Sequence, residues 1–360
     1  MRRILAIFVI LLSIVAGIGA WTYIEYRQFI ETPLSLGSSE RVVQIPAGTH
    51  AKGVVDILAG AGIVENRWMM LYVLKNSGLA ERIQPGTIVL TEGIKPTELP
   101  DLLARVGKYA RLTVQILPGM NIYDIAHRMQ ENRIADETLF IGLSTDEAFA
   151  AELGIPAPSL EGYLAAGAYT FEPGVQPQEV IRQMHERWRS QWQSIVEENR
   201  GAYENAGERQ MSDHAIVTLA SIVEKEAMID GERPVVARVF FNRLRKKMKL
   251  QSDPTCVYPP KELGEKPTPN RCKDPDNAYS TYVVAGLPPG PIDTPSQASL
   301  RAVLKPYEGP DAFSLFYFVA RQDGSKKHYF SKTYAEHQKA VDYYLKKKGT
   351  RPRGTTQPKI

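Results

Sequence analysis

The chain has 360 residues, of which 43% are hydrophobic and 23% charged, and its formal net charge is +4. Such a composition is ordinary for a globular chain. The charge falls to +2 once Arg2 and Arg3 are set apart with the N-terminal segment, which gives no argument for a nucleic-acid partner.

Residues Ile4–Ile24 carry no charge until Glu25, and Arg2 and Arg3 precede them. About 20 apolar residues make one helical crossing of a bilayer. The basic pair places the start in the cytoplasm and the rest outside, so residues 1–25 read as a transmembrane anchor in the lipid bilayer of a cell inner membrane. A cleaved signal peptide, with Gly19-Ala20 as the cleavage site, is the competing reading. Its apolar region would exceed the usual length, and Ile18 sits where a small residue is preferred.

A duplication follows. Val43-Gln-Ile-Pro-Ala-Gly48 recurs as Val114-Gln-Ile-Leu-Pro-Gly119, and Val54, Leu58 and Ile63 map onto Ile125, Met129 and Ile134 at the same offset of 71. Farther on the offset becomes 81: Pro85-Gly-Thr-Ile-Val-Leu90 aligns with Ala166-Gly-Ala-Tyr-Thr-Phe171, and Gly93 with Gly174. Each copy reads strand, glycine turn, amphipathic helix, connection, strand, glycine turn, helix. Residues 40–110 and 111–186 are therefore expected as two duplicated small α+β lobes. Their order is similar to that of carbohydrate-binding modules of the LysM kind, and a spacer that positions the next domain fits the same pattern. Residues 187–211 read as a helical connection, 212–345 as a C-terminal α+β domain, and 346–360 as a basic, solvated tail including Lys346–Lys348, Arg351 and Arg353. The whole is a mixed α/β (α+β) architecture.

From Ser212 a new helix begins with an N-cap signal, and Ile216, Leu219, Ala220, Val223 and Ala227 share one face. Glu224 borders that stripe, whereas Glu226 points away. A carboxyl held against apolar surface has its pKa raised and can serve as a general acid. A glutamate within a helix is most often merely solvated or salt-bridged, so wheel position alone assigns no role. The only cysteines, Cys256 and Cys272, lie sixteen positions apart in a Pro-rich loop. In an oxidising compartment such a pair reads as a disulfide, stabilising by about 3 kcal/mol in the chain-entropy model. No His lies between or near them, as a metal site would favour.

The text around Glu224 narrows the choice. Leu219-Ala-Ser-Ile-Val-Glu-Lys-Glu226 is followed by Val235-Val-Ala-Arg-Val-Phe-Phe-Asn-Arg-Leu244 and Leu250-Gln-Ser-Asp-Pro-Thr255. Then come Ala278-Tyr-Ser-Thr-Tyr282, Gly286-Leu-Pro-Pro-Gly-Pro-Ile292, Leu315-Phe-Tyr-Phe-Val319, and His328-Tyr-Phe330 with Glu336-His337. In that order these closely resemble the YceG-like family of endolytic murein transglycosylases, from the anchor to about Leu345. The resemblance implies that Glu224 is the catalytic acid. It would protonate the glycosidic oxygen between MurNAc and GlcNAc and then accept the proton of the MurNAc 6-hydroxyl as that oxygen attacks C1, leaving a 1,6-anhydro end. It implies peptidoglycan glycan strands as substrate, membrane peptidoglycan synthases as partners, and no cofactor.

Substrate contacts are expected at Gln251, Asp253, Thr255, Tyr258, Ser280, Tyr282 and Glu161. For Asp253 a turn-capping role fits equally, and Tyr258, Tyr279 and Tyr282 fit the core as well as sugar stacking. Tyr163 joins Glu161 as a cleft-edge candidate. Three departures from the family stand out: Ser252 for Thr, Ser280 for Asn, and Ala165–Ala168 where Phe-Pro-Asp-Thr is common. His214, His328 and His337 lack metal-ligand spacing, so no metal is expected. Ser159, Ser221 and Ser331 lack the nucleophile-elbow setting. Two other functions fit less of the pattern: a membrane-tethered glycan-binding scaffold without catalysis, and a water-using muramidase pairing Glu224 with Asp253.

Overall fold

A computed structural model of the chain describes residues 2–37, 39–46, 48–83, 86–104, 112–208, 211–352 and 357–358. Pro85 of the repeat and Arg353 of the tail lie outside the described residues. The architecture is mixed α+β. It begins with helix α1 (Arg2–Glu31), whose stretch Phe8–Glu31 is long and apolar enough to cross a membrane.

Two compact units divide the chain, Met1–Leu112 with Phe171–Gly174, and Thr113–Thr170 with Val175–Ile360. In the first, β1 (Glu40–Ile45) leads into α2 (Ala51–Gly60) and α3 (Arg67–Asn76), then β2 (Gly86–Thr91) and α4 (Leu99–Ala104). Strands β1 and β2 are antiparallel, with Val43 opposite Ile88. Alternation turns Val43, Ile45, Ile88 and Leu90 inward. They meet Val54, Leu58, Met70 and Leu74 from α2 and α3. The end of α1 belongs to this packing: Tyr26, Phe29 and Ile30 rest on the same core.

Next in the chain come β3 (Leu112–Ile116), α5 (Ile122–Glu131), α6 (Glu137–Ser144), α7 (Glu147–Glu152) and β4 (Gly167–Phe171), which pairs with β3. Helix α5 starts and ends 71 positions after α2, the offset of the sequence repeat. Paired glycines share backbone geometry as well: φ is 79° at Gly48 and 81° at Gly119, and 139° at Gly86 and 148° at Gly167. These left-handed and extended positive-φ positions favour glycine.

Helix α8 (Pro177–Glu198) buries Val180, Ile181, Met184, Trp188, Trp192 and Ile195 along one stripe. After α9 (Arg200–Glu208) comes α10 (Asp213–Glu226), capped by Ser212, whose hydroxyl accepts from Ala215 N at 3.2 Å. The sequence pattern marks one apolar face on α10, but all eight residues Ile216–Val223 are buried. The helix is central, flanked by α11 (Arg233–Arg245) and by α13 (Gln297–Leu304), which follows the short α12 (Pro269–Cys272). The chain closes with the antiparallel pair β5 (Tyr317–Ala320) and β6 (His328–Ser331), covered by α14 (Tyr334–Tyr344).

Candidate active site around Glu224

Glu224 stands in the last turn of α10 with only 8% of its side chain exposed. Apolar surface is not what its carboxyl meets. Oε2 accepts hydrogen bonds from Ser296 N at 2.9 Å, Ser296 Oγ at 2.5 Å and Ser299 Oγ at 2.7 Å, and Arg233 Nη1 lies 3.1 Å away. Oε1 accepts no hydrogen bond among the described residues. One oxygen is therefore fixed by four donors and the other is left for chemistry.

The donors have local reasons to be there. Ser296 is the N-cap of α13: its hydroxyl accepts from Ser299 N at 3.2 Å while donating to Glu224. The carboxyl thus meets the N-terminus of α13, where the Ser296 amide and hydroxyl point at Oε2. Arg233, at the start of α11, is braced by Ser299 Oγ at 2.8 Å and Asp230 Oδ1 at 3.0 Å. These residues were not singled out from the sequence. The Ser296-Gln-Ala-Ser299 capping pattern was the available signal for two of them, but it says nothing of Glu224.

The glycine turn of the second repeat lines the same place. Gly119 N donates to Thr294 O and Thr294 N to Met120 O, both at 2.8 Å, and Lys225 Nζ donates to Gly119 O. A Cβ on Gly119 would lie 3.9 Å from Glu224 Cγ. Beside Thr294, Asp293 is wholly buried, and neither carboxyl oxygen has a hydrogen-bond partner among the described residues. Burial pushes its carboxyl well above the usual range, and the charges of Glu224 and Glu161 add to this while Lys225 and Arg233 oppose it. Asp293 also escaped the sequence reading, because a lone Asp in a Pro-rich loop carries no pattern.

Glu161 is fully buried. It accepts from Ile122 N at 3.0 Å, at the start of α5, and from Gly162 N at 3.3 Å. Burial pushes its carboxyl up to about 7, against hydrogen bonds from Ile122, the Tyr258 hydroxyl and Gly162 that favour the anion. Tyr258 packs against Tyr279 (ring centroids 4.6 Å apart) and Tyr123 (6.5 Å), forming an aromatic cluster over this acid. Burial raises the Tyr258 phenol well above its ordinary value and the Tyr279 phenol to about 12. Gly162 must be glycine: φ is 82°, and a Cβ would land 2.6 Å from Pro291. Tyr163 is buried, its hydroxyl 2.8 Å from His214 Nδ1.

A second acidic group lies around Glu226, which is part-buried rather than directed away. Ser252 Oγ donates to its Oε1 at 2.5 Å, and burial raises its carboxyl, with Asp253 adding to the shift. Asp253 is exposed and accepts from the Tyr282 hydroxyl at 2.6 Å. Gln251 is exposed in a left-handed backbone conformation (φ 48°), its N donating to Thr281 O at 3.2 Å.

Thr255 and Ser280, expected to touch substrate, are instead both completely buried. Thr255 Oγ1 bonds to Ser252 O and Thr281 Oγ1, and Ser280 Oγ donates to Cys272 O at 2.7 Å, so both hydroxyls hold the loop. Cys256 and Cys272 are joined by a disulfide, Cα–Cα 4.6 Å. His214, His328 and His337 lie apart: His214 Nε2 is 2.8 Å from Pro289 O, His328 Nδ1 is 2.7 Å from Glu232, and the His337 ring stacks on Tyr317. Among the described residues no His, Cys, Asp and Glu cluster can hold a metal ion.

The chain is similar to known proteins over most of its length. The model of the YceG-like family matches residues 43–343. The endolytic murein transglycosylase of Bacillus subtilis (strain 168) is 29% identical over 346 residues, 90% of each chain. That of Streptococcus pneumoniae (strain D39) is 22% identical over 374 residues, covering 94% of this chain and 65% of that protein. A 2.6 Å crystal structure of a YceG-like protein from Listeria monocytogenes superposes with a TM-score of 0.54 at 28% identity, over 84% of this chain and 98% of that one.

Proposed function

Because the chain belongs to the YceG-like family, we propose that it is a membrane-anchored endolytic murein transglycosylase with Glu224 as its catalytic acid. The general activity is the one its curated relatives carry in their names. The single observation that carries the residue assignment is the asymmetry of the Glu224 carboxyl: Oε2 held by four donors, Oε1 without a hydrogen bond among the described residues.

Protonated on Oε1, Glu224 gives its proton to the O4 leaving oxygen as the MurNAc C1–O4 bond breaks through an oxocarbenium-like transition state. The 6-hydroxyl of the same MurNAc then attacks C1. Its proton returns to Oε1, the O6–C1 bond closes the 1,6-anhydro ring, and no water enters. An internal nucleophile has high effective molarity, so the reaction needs no second carboxylate to activate it. Ser296, Ser299 and Arg233 act by holding Oε2, which fixes the direction in which Oε1 presents its proton.

Around this centre, the exposed Asp253, the half-buried Tyr282 bonded to it and the exposed Gln251 are polar groups available to sugar hydroxyls. Glu161 with Tyr258 sets the loop that starts α5. Residues 1–25 anchor the chain in the membrane, with the remainder outside the cytoplasm. Nascent strands beside the peptidoglycan synthases of that membrane are the substrate. The two repeat lobes are a spacer between the anchor and residues 212–345, which the tail 346–360 follows.

The test is mass spectrometry of murein digested by the purified chain, wild type beside Glu224→Gln. Anhydro-ended fragments from the wild type alone are expected. Reducing ends would transfer the reading to hydrolysis with Asp253, and products from both proteins would remove Glu224 from the mechanism.

A further inference from the structure

Helix α3 has two faces that both carry apolar side chains. Met69, Met70, Val73 and Leu74 are buried in the first unit. On the opposite side Trp68 is 62% exposed and Tyr72 46% exposed, with Lys75 one turn farther along the same face. Large aromatic rings left in water on an already amphipathic helix mark a surface that meets another apolar phase.

The location of these rings indicates which phase. Tyr72 packs edge-on against Tyr26 of α1 (centroids 5.3 Å, 89°), and Trp68 stacks on Tyr72 at 5.9 Å. The uncharged run Ile4–Ile24 has a helical length of about 30 Å, the thickness of a bilayer hydrocarbon core. Its outer boundary therefore falls near Trp21, Tyr23 and Ile24, all exposed on α1. Since α1 continues unbroken to Glu31, Tyr26 lies within one turn beyond that boundary, at headgroup depth. Side chains on a helix lean toward its N-terminus, here toward the bilayer. Trp and Tyr are the residues that favour this layer, and a lysine beside them can extend its ammonium to the phosphates.

We propose that Trp68 and Tyr72, braced by Tyr26, are a membrane-surface contact that seats the first unit on the outer headgroup layer. The partner is the lipid bilayer itself, and the contact turns the anchor from a tether into a fixed mount. The proposal rests on the membrane-anchored reading of residues 1–25.

The experiment places a benzophenone amino acid at Phe8, Trp68, Tyr72 or Glu92, one at a time, in the full chain reconstituted into phospholipid nanodiscs. Illumination is followed by mass analysis for lipid adducts. Adducts at 68 and 72 comparable to that at 8, with none at the exposed position 92, are expected. An adduct at 8 but none at 68 and 72 overturns the surface contact and leaves the anchor standing. No adduct at any of the four overturns the anchor and this proposal with it. Equal adducts at 92 would mean unspecific adsorption. Coupling of 68 or 72 to added murein fragments in preference to lipid would make the face a glycan platform, which also overturns the proposal.

Discussion

The two copies of the repeat share a backbone but not a role. Helices α2 and α5 have ten residues each and follow glycine turns of nearly equal φ. A Cβ added at Gly48 would meet nothing within 4 Å, whereas at Gly119 it would meet Glu224 and Lys225. His50, the N-cap of α2, makes no side-chain cap. Asn121, the N-cap of α5, forms a capping box with Asp124. Where the second copy has Glu161, pinning the first amide of α5, the first has Ala80, 81 positions earlier. Duplication supplied the same turn twice, and the second was stiffened where it lines the Glu224 carboxyl.

The largest way to test this contrast is at the carboxyl itself. Glu224→Gln should lower release of anhydro-ended fragments by roughly 10²–10⁴-fold, the usual scale of general acid catalysis, with the thermal midpoint little changed. No change in the first copy should approach that loss in activity.

Next comes Glu161. Its folded pKa of about 7 lies above that of the unfolded chain, so the folded state binds the proton more tightly. Stability from this group is then full below about pH 4.5 and lost as pH rises to about 7, a change on the order of 3 kcal/mol. Tyr123, Tyr258, Tyr279, Asp124 and Asp293 are the titratable groups around it. Urea midpoints of wild type and Glu161→Gln should converge in acid and separate above neutrality, with the variant the more stable. Parallel curves would mean that Glu161 is ionised in both states.

A smaller effect is expected from Ser299→Ala, which removes one donor from Oε2 and one brace from Arg233. A bond to a charged group contributes about 1.5–3 kcal/mol, so turnover should fall roughly 10- to 160-fold. Unchanged turnover would show that Oε2 needs no such fixing. The smallest effects separate the copies directly. Gly48→Ala and Gly119→Ala should each cost about 1 kcal/mol of stability from left-handed strain. Only Gly119→Ala should also slow the reaction, and equal activities would dissolve the distinction between the turns.

Much of the fold was legible in the chain because it is written in local periods. The uncharged run of α1, the alternation in β1 and β3, and the Ser212 cap before α10 each lie within about 20 consecutive residues. The repeat offset even located the ends of α5 from those of α2. Burial of α10 on every side was not legible, because Val217, Thr218, Ser221 and Ile222 are covered by α11, α13 and the loop before it. For the same reason Glu226, expected to face solvent, meets Ser252.

By itself, the sequence determined that Glu224 borders the apolar stripe of a helix, amid motifs that single it out. Only the tertiary structure decided which of its oxygens is held and which is free. Its donors come from positions 9, 72 and 75 residues away, and the turn beside it from 105 residues earlier. Contacts between distant residues leave no periodic trace in the chain. They exist only once α10, α11, α13 and the second glycine turn have packed together.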